Sequence, residues 1–195
     1  FSIADRLMLT LGLRYDHQRV EIEYDSYSHF LLGLNMPPRP AVNSHFRSVM
    51  QGGTAESYDQ LLPKFALTYR ISDDGSNVYA TVSKGFRAGG YNLQMFSDIF
   101  KSEQSALGMK LMQLMKGDMT LTHTDAEYDN INRTITYKPE VSWNYELGAH
   151  LNLFGGKLHA DASVYYTRIS NQQLSVMAGN YGYGRMMVNA GKSSS

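Results

Sequence analysis

The segment 139–168 constrains the fold more than any other, because it contains two long runs in which apolar and polar residues alternate. The alternating apolar positions are Val141, Trp143, Tyr145, Leu147, Ala149, Leu151 and Leu153, then Leu158, Ala160, Ala162, Val164 and Tyr166. Such a period of two places them all on one face of a β-hairpin. Residues 154–157, which include two glycines, predict a tight turn, because glycine adopts positive φ without penalty. Each arm reaches the roughly 9–11 residues of a bilayer-spanning strand, whereas ordinary strands average about 5–6.

Further alternating runs predict an all-β, antiparallel fold. We predict strands at about residues 5–24, 61–71, 77–88, 139–154, 157–169 and 185–192. The Asp74-Gly75 pair predicts a hairpin turn between the second and third of these strands. Lys84 falls on the apolar face of the third strand, unless a bulge near Ser83 shifts the register.

Two long segments, 25–60 and 89–138, interrupt the alternation and are predicted as loops. The second has helical character at 102–116, where Ser102 and Ser105 are possible caps for a short helix. Long loops and tight turns therefore alternate along the chain, as they must in a transmembrane barrel with short periplasmic turns and longer extracellular loops. The pattern favours an up-and-down transmembrane β-barrel segment of about six strands, and it leaves a secreted β-sandwich open.

Composition and charge exclude several classes of protein. The 18 basic and 18 acidic residues cancel, so no charge excess points to nucleic acid. The absence of cysteine rules out disulfides and thiolate metal sites. No apolar run approaches the roughly 18 residues of a transmembrane helix. We find no phosphate-binding loop and no nucleophile in a catalytic context, so we expect neither an enzyme nor a cofactor.

Five short motifs resemble strands of TonB-dependent outer-membrane receptors. They are LTLGLRYD at 9–16, LPKFALTY at 62–69, NVYATVSKGFRAGGYN at 77–92, KPE with YELG within 138–148, and VNAGKS at 188–193. The resemblance implies a barrel of about 22 strands with a plugged lumen, of which residues 1–195 form a later part. Neither a plug domain nor a TonB box is found in this sequence, so we expect a portion of a receptor.

The resemblance also implies a function and a location. The expected activity is TonB-energised uptake of a scarce solute, such as a ferric siderophore, cobalamin or an oligosaccharide, across the bacterial outer membrane. The implied partners are the remainder of the barrel and plug, the TonB complex, outer-membrane lipid and a small-molecule or metal-chelate substrate, but not nucleic acid. The alternatives are a passive porin-like channel and a secreted β-sandwich that acts in binding or adhesion.

Candidate ligand-binding residues are expected on long loops and the adjacent wall. They combine charge, aromatic area and loop position: Arg87, Tyr91, Asn92 and His123. The alternating carboxylates Asp125, Glu127 and Asp129 suggest calcium ligands, but Asn130 stands where a calcium loop needs glycine. Thr136 stands where a bidentate glutamate is required. We therefore predict no metal site.

Overall fold

The computed structural model describes residues 2–35, 37–38, 41–114, 118–177 and 184–195. The elements are β1 (Ser2–Ala4), β2 (Leu7–Leu34), β3 (Val42–Arg70), β4 (Asn77–Arg87), β5 (Gly90–Tyr91), α1 (Met95–Leu114), β6 (Met119–Leu121), α2 (Asp125–Ile135), β7 (Thr136–Tyr137), β8 (Glu140–Leu153), β9 (Leu158–Met177) and β10 (Arg185–Ser194). Neither helix in these ranges has the length and apolarity needed to cross a bilayer.

One antiparallel sheet dominates the structure. Its strand order is β1-β2-β3-β4-β8-β9-β10, β6 pairs in parallel with β3, and β5 pairs with β7 outside the sheet. Within the described ranges, six strands have ten residues or more: β2, β3, β4, β8, β9 and β10. The sheet is a piece of barrel wall that does not close on itself. This confirms the predicted antiparallel segment of about six strands.

The hairpin of β8 and β9 has the predicted geometry. The strands pair without a register shift from Val141 opposite Ser170 to Leu153 opposite Leu158. The turn between them takes three consecutive positive φ angles, 54° at Phe154, 67° at Gly155 and 82° at Gly156. Gly75 has a φ of 93° in the turn between β3 and β4, as the Asp-Gly pair predicted.

One face of the sheet is continuously apolar across five strands, from β2 through β3, β4 and β8 to β9. Paired residues of antiparallel strands share a face, so the registers define rows. Three successive rows are Leu7–Tyr69–Val78–Ala149–Ala162, Leu9–Leu67–Ala80–Leu147–Val164 and Leu11–Phe65–Val82–Tyr145–Tyr166. Leu147 and Val164 are 58% and 68% exposed in this chain. A face this large and apolar needs a nonaqueous partner, and lipid provides one.

The apolar face ends at a defined level. From Leu7 to Tyr15, β2 rises about 26 Å at roughly 3.3 Å per residue, or about 20 Å after a strand tilt of about 35–45°. This approaches the roughly 25 Å apolar band of outer-membrane barrels. Immediately beyond Tyr15 the same face of β2 becomes charged, beginning with His17, which pairs with Asp59 at 2.8 Å, and Arg19. No bulge shifts the pairing of β4 with β8 at Lys84, which lies opposite Trp143 in a continuous register. The Nζ of Lys84 donates to Gln60 Oε1 at 2.9 Å.

The opposite face is polar. Tyr79 donates from its hydroxyl to Glu146 Oε1 at 2.8 Å, and Thr167 Oγ1 donates to Asn144 Oδ1 at 2.7 Å. These bonds link β4 to β8 and β8 to β9 across a hydrated wall. The alternation of an apolar and a polar face along each strand is the pattern of a membrane barrel.

The predicted loop at 25–60 is wrong for most of its length. β2 continues to Leu34 and β3 begins at Val42, and the two strands pair one to one from Leu7 opposite Tyr69 to Leu34 opposite Val42. Beyond the apolar band, the inward positions include small polar residues such as Ser44 and Ser48, both buried. Serine carries little hydrophobic signal, so backbone pairing and the packing of distant helices, rather than apolar periodicity, define this part of the hairpin.

The predicted loop at 89–138 is also more ordered than expected. The short helix predicted at 102–116 corresponds to α1, which starts earlier, at Met95, so Ser102 and Ser105 lie inside the helix and the prediction that they cap it is wrong. Residues 115 and 116 lie outside the described residues. A second helix, α2, occupies 125–135 and was not predicted. At the other end of the chain, β9 extends to Met177 and β10 to Ser194, beyond the predicted limits. Edge pairing between β9 and β10 sustains both extensions.

The two helices and β6, within residues 95–114 and 118–135, form a cap on the polar side of the long β2–β3 hairpin. Its core joins Ile22, Tyr24 and Met50 of the hairpin to Phe96, Ile131 and Ile135 of the helices. Met50 and Ile135 are fully buried. A second cluster stacks Phe30 on Phe46 at 4.9 Å beneath Met119 and Leu121 of β6.

Candidate functional site

The polar side of the sheet beyond the apolar band carries the candidate site. The unbroken β2–β3 register places the cap on the same side as the polar face of the band, because alternate residues of β3 continue that face from Lys64 to Glu56 and Thr54. The cap therefore lies over the polar side of the open sheet. Side chains that project between the cap and the sheet are therefore the candidates for contact with a ligand.

Arg87 ends β4 on the polar face, opposite Glu140 in the register. Its side chain is exposed, and no hydrogen bond or ion pair engages it within the described part of the chain. Glu140 instead accepts a hydrogen bond from the Gln173 backbone N–H at 2.6 Å. The guanidinium of Arg87 is thus available to a solute or to a neighbouring part of the wall.

Tyr91 lies under the cap against the β2–β3 hairpin. Its hydroxyl is 3.3 Å from the carbonyl oxygens of Val20 and Thr54, one on each strand. Burial, together with the nearby charge of Glu56, raises the pKa of Tyr91. The phenol therefore stays protonated and ties the two strands together.

Asn92 fastens the start of the cap to the far end of the sheet. Its Nδ2 donates to Met187 O at 2.8 Å, and Met187 N donates to its Oδ1 at 2.7 Å. Its own backbone N–H donates to Ile135 O at 2.7 Å. The side chain pairs with the β10 backbone as another strand would, an arrangement that its amide, with one donor and one acceptor end, permits.

His123 follows β6 and is almost completely buried, with 5% of its side chain exposed. Its Nδ1 lies 3.0 Å from Val49 O, and its Nε2 lies 2.6 Å from Glu103 Oε1. The structure therefore places His123 within the cap, engages Tyr91 with the hairpin and Asn92 with β10, and leaves Arg87 exposed. Whether any of the four contacts a ligand stays a prediction.

The carboxylates weighed as calcium ligands belong to the start of α2 instead. Thr124 caps this helix, and Glu127 accepts from the Thr124 backbone N–H at 2.8 Å and from Thr124 Oγ1 at 2.9 Å. These hydrogen bonds hold the pKa of Glu127 below its usual range. The Thr-Asp-Ala-Glu sequence at 124–127 is a capping box, a signal that identifies a helix start from sequence alone.

A polar pocket of about 440 Å³ opens between α2 and the inward face of β3. Its lining combines two carboxylates, two cations, two hydroxyls and an amide: Glu56, Asp129, Arg133, Lys138, Thr54, Thr136 and Asn132. The side-chain Oδ1 of Asn132 accepts from the Tyr24 hydroxyl at 3.0 Å, so the core of the cap fixes the orientation of the Asn132 side chain. The pocket presents both charges and neutral donors to a solute without a large apolar side chain in its lining.

Sequence reasoning missed this pocket for two reasons. Thr54 and Glu56 lie in the segment predicted as a loop, and Asp129 and Arg133 lie in a helix that was not predicted. Only the tertiary fold brings Glu56 of β3 and Asp129 of α2, which are 73 residues apart in the sequence, to the same pocket. The capping box was the one available signal, and it locates the helix but not its partner.

Comparison with known proteins gives a consistent result. The family model described as TonB dependent receptor-like, beta-barrel matches residues 1–195. Among solved structures, the chain is similar to the alcaligin outer-membrane receptor FauA from Bordetella pertussis, at 15% identity and a TM-score of 0.44, covering 100% of this chain and 23% of that one. It is also similar to a double mutant of the Serratia marcescens hemophore receptor HasR, solved with its hemophore HasA and heme, at 17% identity and a TM-score of 0.49, covering 97% and 28%. The chain thus spans about a quarter of either receptor.

Proposed function

Because the chain belongs to the TonB-dependent receptor β-barrel family, we propose that the protein is a bacterial outer-membrane receptor that takes up a scarce solute with energy supplied through TonB. The observation that carries this proposal is the apolar face that crosses five strands and ends where the β2 face becomes charged. That face fits a lipid bilayer, and the capped polar side fits a solute path. In this role residues 1–195 supply wall, extracellular hairpin and cap.

The remaining parts of the receptor, the TonB complex and lipid are proposed as partners. The two edges of the open sheet call for neighbouring strands, because unpaired strand edges are not tolerated within a bilayer. A plug within the lumen and the TonB complex beneath it would supply gating and energy. Lipid would cover the apolar face. The function is transport, and we assign no catalytic step to this chain.

The pocket between α2 and β3 is the proposed point of solute contact. Its carboxylates, cations, hydroxyls and amide suit a solute rich in polar groups, such as a ferric siderophore, cobalamin or an oligosaccharide. Tyr91 and Asn92 would act by shaping the cap above the pocket. Arg87 would add positive charge on the wall below it. Lys138 and Glu56, which lie in the pocket, are the side chains best suited to direct contact.

Uptake by the complete receptor in cells tests the proposal. Radiolabelled ferric siderophores, cobalamin and oligosaccharides are supplied to cells with and without TonB, and accumulation is measured. We expect accumulation of one solute class that requires TonB. Lys138→Ala and Glu56→Gln should weaken binding of that solute, while Lys157→Ala, in the tight turn at the other end of the wall, should not. Accumulation that is equal without TonB would instead indicate a passive channel, and recovery of the protein in the soluble periplasmic fraction would refute the membrane assignment.

A further inference from the structure

The cap is fastened to the hairpin by a buried histidine–glutamate contact that bridges three elements. His123 lies between β6 and α2, Glu103 lies on α1, and their Nε2 and Oε1 atoms are 2.6 Å apart. The second ring nitrogen faces the Val49 carbonyl oxygen of β3 at 3.0 Å, and Ser48 Oγ of β3 donates to the other Glu103 oxygen at 2.7 Å. Only 5% of the His123 side chain and 18% of the Glu103 side chain are exposed.

Both ring nitrogens of His123 face oxygen acceptors. A neutral imidazole has one N–H and satisfies one of them, whereas an imidazolium donates to both. With Glu103 ionised, the geometry therefore requires the imidazolium. Loss of that proton leaves a ring lone pair against either a carbonyl or a carboxylate oxygen in a site that water barely reaches, which is costly.

The groups around the ring agree with a positive charge. Glu103 faces it from α1, and Glu127 on α2 is close enough for the His123 charge to contribute to lowering the Glu127 pKa. Tyr128 of α2 lies against the ring at 5.5 Å between centroids, and its hydroxyl accepts from the Gln51 N–H at 3.2 Å. From β3, the Ser48 hydroxyl and the Val49 carbonyl contact the pair through hydrogen bonds.

We propose that His123 and Glu103 form a proton-dependent latch that holds the cap closed over the polar side of the sheet and releases it as the pH rises. The latch is complete while both ring nitrogens carry a proton, and it loses one hydrogen bond when one of those protons leaves as the pH rises. The inference concerns the closure of the cap, and it stands whether or not the α2–β3 pocket is the solute site.

Opening can be measured with a buried cysteine, because the chain contains no cysteine of its own. Met50→Cys places a thiol at a fully buried position beneath the cap, and Ser57→Cys places one at an exposed position on the same strand. The complete receptor, with any other cysteine removed, is assembled in detergent and labelled with a maleimide between pH 6 and pH 9. The ratio of the two labelling rates removes the intrinsic effect of pH on the thiol.

We expect this ratio to rise about tenfold or more from pH 6 to pH 9, the equilibrium factor for the loss of one hydrogen bond to a charged group. His123→Gln should give a ratio that no longer changes with pH, since the titrating ring is gone. Ser48→Ala removes only the bond to Glu103 Oε2, so it should raise the ratio slightly and retain the pH dependence. His29→Gln, an exposed histidine on the same hairpin, is the matched control and should behave as the parent.

Two results would overturn the latch. One is a ratio in the parent that is constant from pH 6 to pH 9. The other is an unchanged pH dependence in His123→Gln. Heat-modifiable migration of each variant on gels confirms barrel assembly, and if His123→Gln fails to assemble, Glu103→Ala, which removes the acceptor altogether, decides. It should open the cap already at pH 6, and a closed cap in that variant refutes the proposal.

Discussion

Gly148→Ala tests whether the polar face of the wall is packed as the structure has it. Gly148 lies in β8 opposite Tyr79 of β4, and the tyrosine ring covers the glycine. A Cβ built on Gly148 would lie 2.5 Å from Tyr79 Oη and 2.6 Å from Cε1, closer than real Cβ contacts allow. Laying an aromatic ring over a glycine of the next strand is a known way to stabilise a sheet at that point.

The tyrosine has little freedom to move away. Its hydroxyl donates to Glu146 Oε1 at 2.8 Å, and its ring stacks on His150 at 5.2 Å between centroids. A methyl group at Gly148 must therefore either displace the ring and break these contacts or push β4 and β8 apart. Overpacking of this kind costs about 1–3 kcal/mol of unfolding free energy.

The assay is urea unfolding of the complete receptor in detergent, followed by gel migration and tryptophan fluorescence. Gly191→Ala is the control, because a Cβ at Gly191 meets nothing within 4 Å, and we expect a change within about 0.5 kcal/mol. In the double variant Gly148→Ala with Tyr79→Ser, the clash is gone, so the alanine should add no further loss to that of Tyr79→Ser alone. A Gly148→Ala protein as stable as the Gly191→Ala control would refute the packing argument.

Three further predictions concern the wall and the cap. Val164→Lys, on the apolar face, should lower the free energy of unfolding in lipid vesicles by about 2–4 kcal/mol. Ser163→Lys, on the polar face, should assemble normally in the same vesicles. Equal assembly of the two variants would contradict the assignment of the lipid-facing side. Thr124→Ala should destabilise α2 by about 1 kcal/mol through loss of its capping box, seen as faster amide exchange in that helix alone, and unchanged exchange would contradict it. Because the pKa of Glu127 is lowered in the folded state, its contribution is present above the pKa of the unfolded chain and is lost as the pH falls through the folded value. Amide exchange of α2 should therefore show extra destabilisation at acidic pH in the parent, and none in Glu127→Gln.

The membrane-spanning strands were predictable because their chemistry is local. Each strand exposes one face to lipid and the other to water. Apolar and polar residues must therefore alternate along the strand, as they do from Val141 to Leu153. The tight turns were equally local, since positive φ at Gly75, Gly155 and Gly156 depends on the glycine itself. The tight turns then fix which residues of the two joined strands lie opposite each other.

Beyond the apolar band, the sequence no longer shows this alternation of apolar and polar residues. Ser44 and Ser48 are buried, as Phe46 is, yet a serine in a polar segment gives no sign of burial. The hydrogen-bond partner of Ser48 is Glu103 of α1, 55 residues away in the sequence. The same holds for the predicted site residues. Residue type made His123 a candidate ligand-binding residue, but only the fold places Glu103 against one ring nitrogen and the Val49 carbonyl oxygen against the other.

The sequence by itself favoured a barrel wall with a lipid face over a β-sandwich, because the requirement for such a face acts on every second residue. Only the tertiary structure decided that the two long insertions form a tall hairpin under a helical cap, with a polar pocket and a buried histidine contact. Those features arise from pairs of residues far apart in the chain, and the free energy that favours them appears only when both partners are brought together.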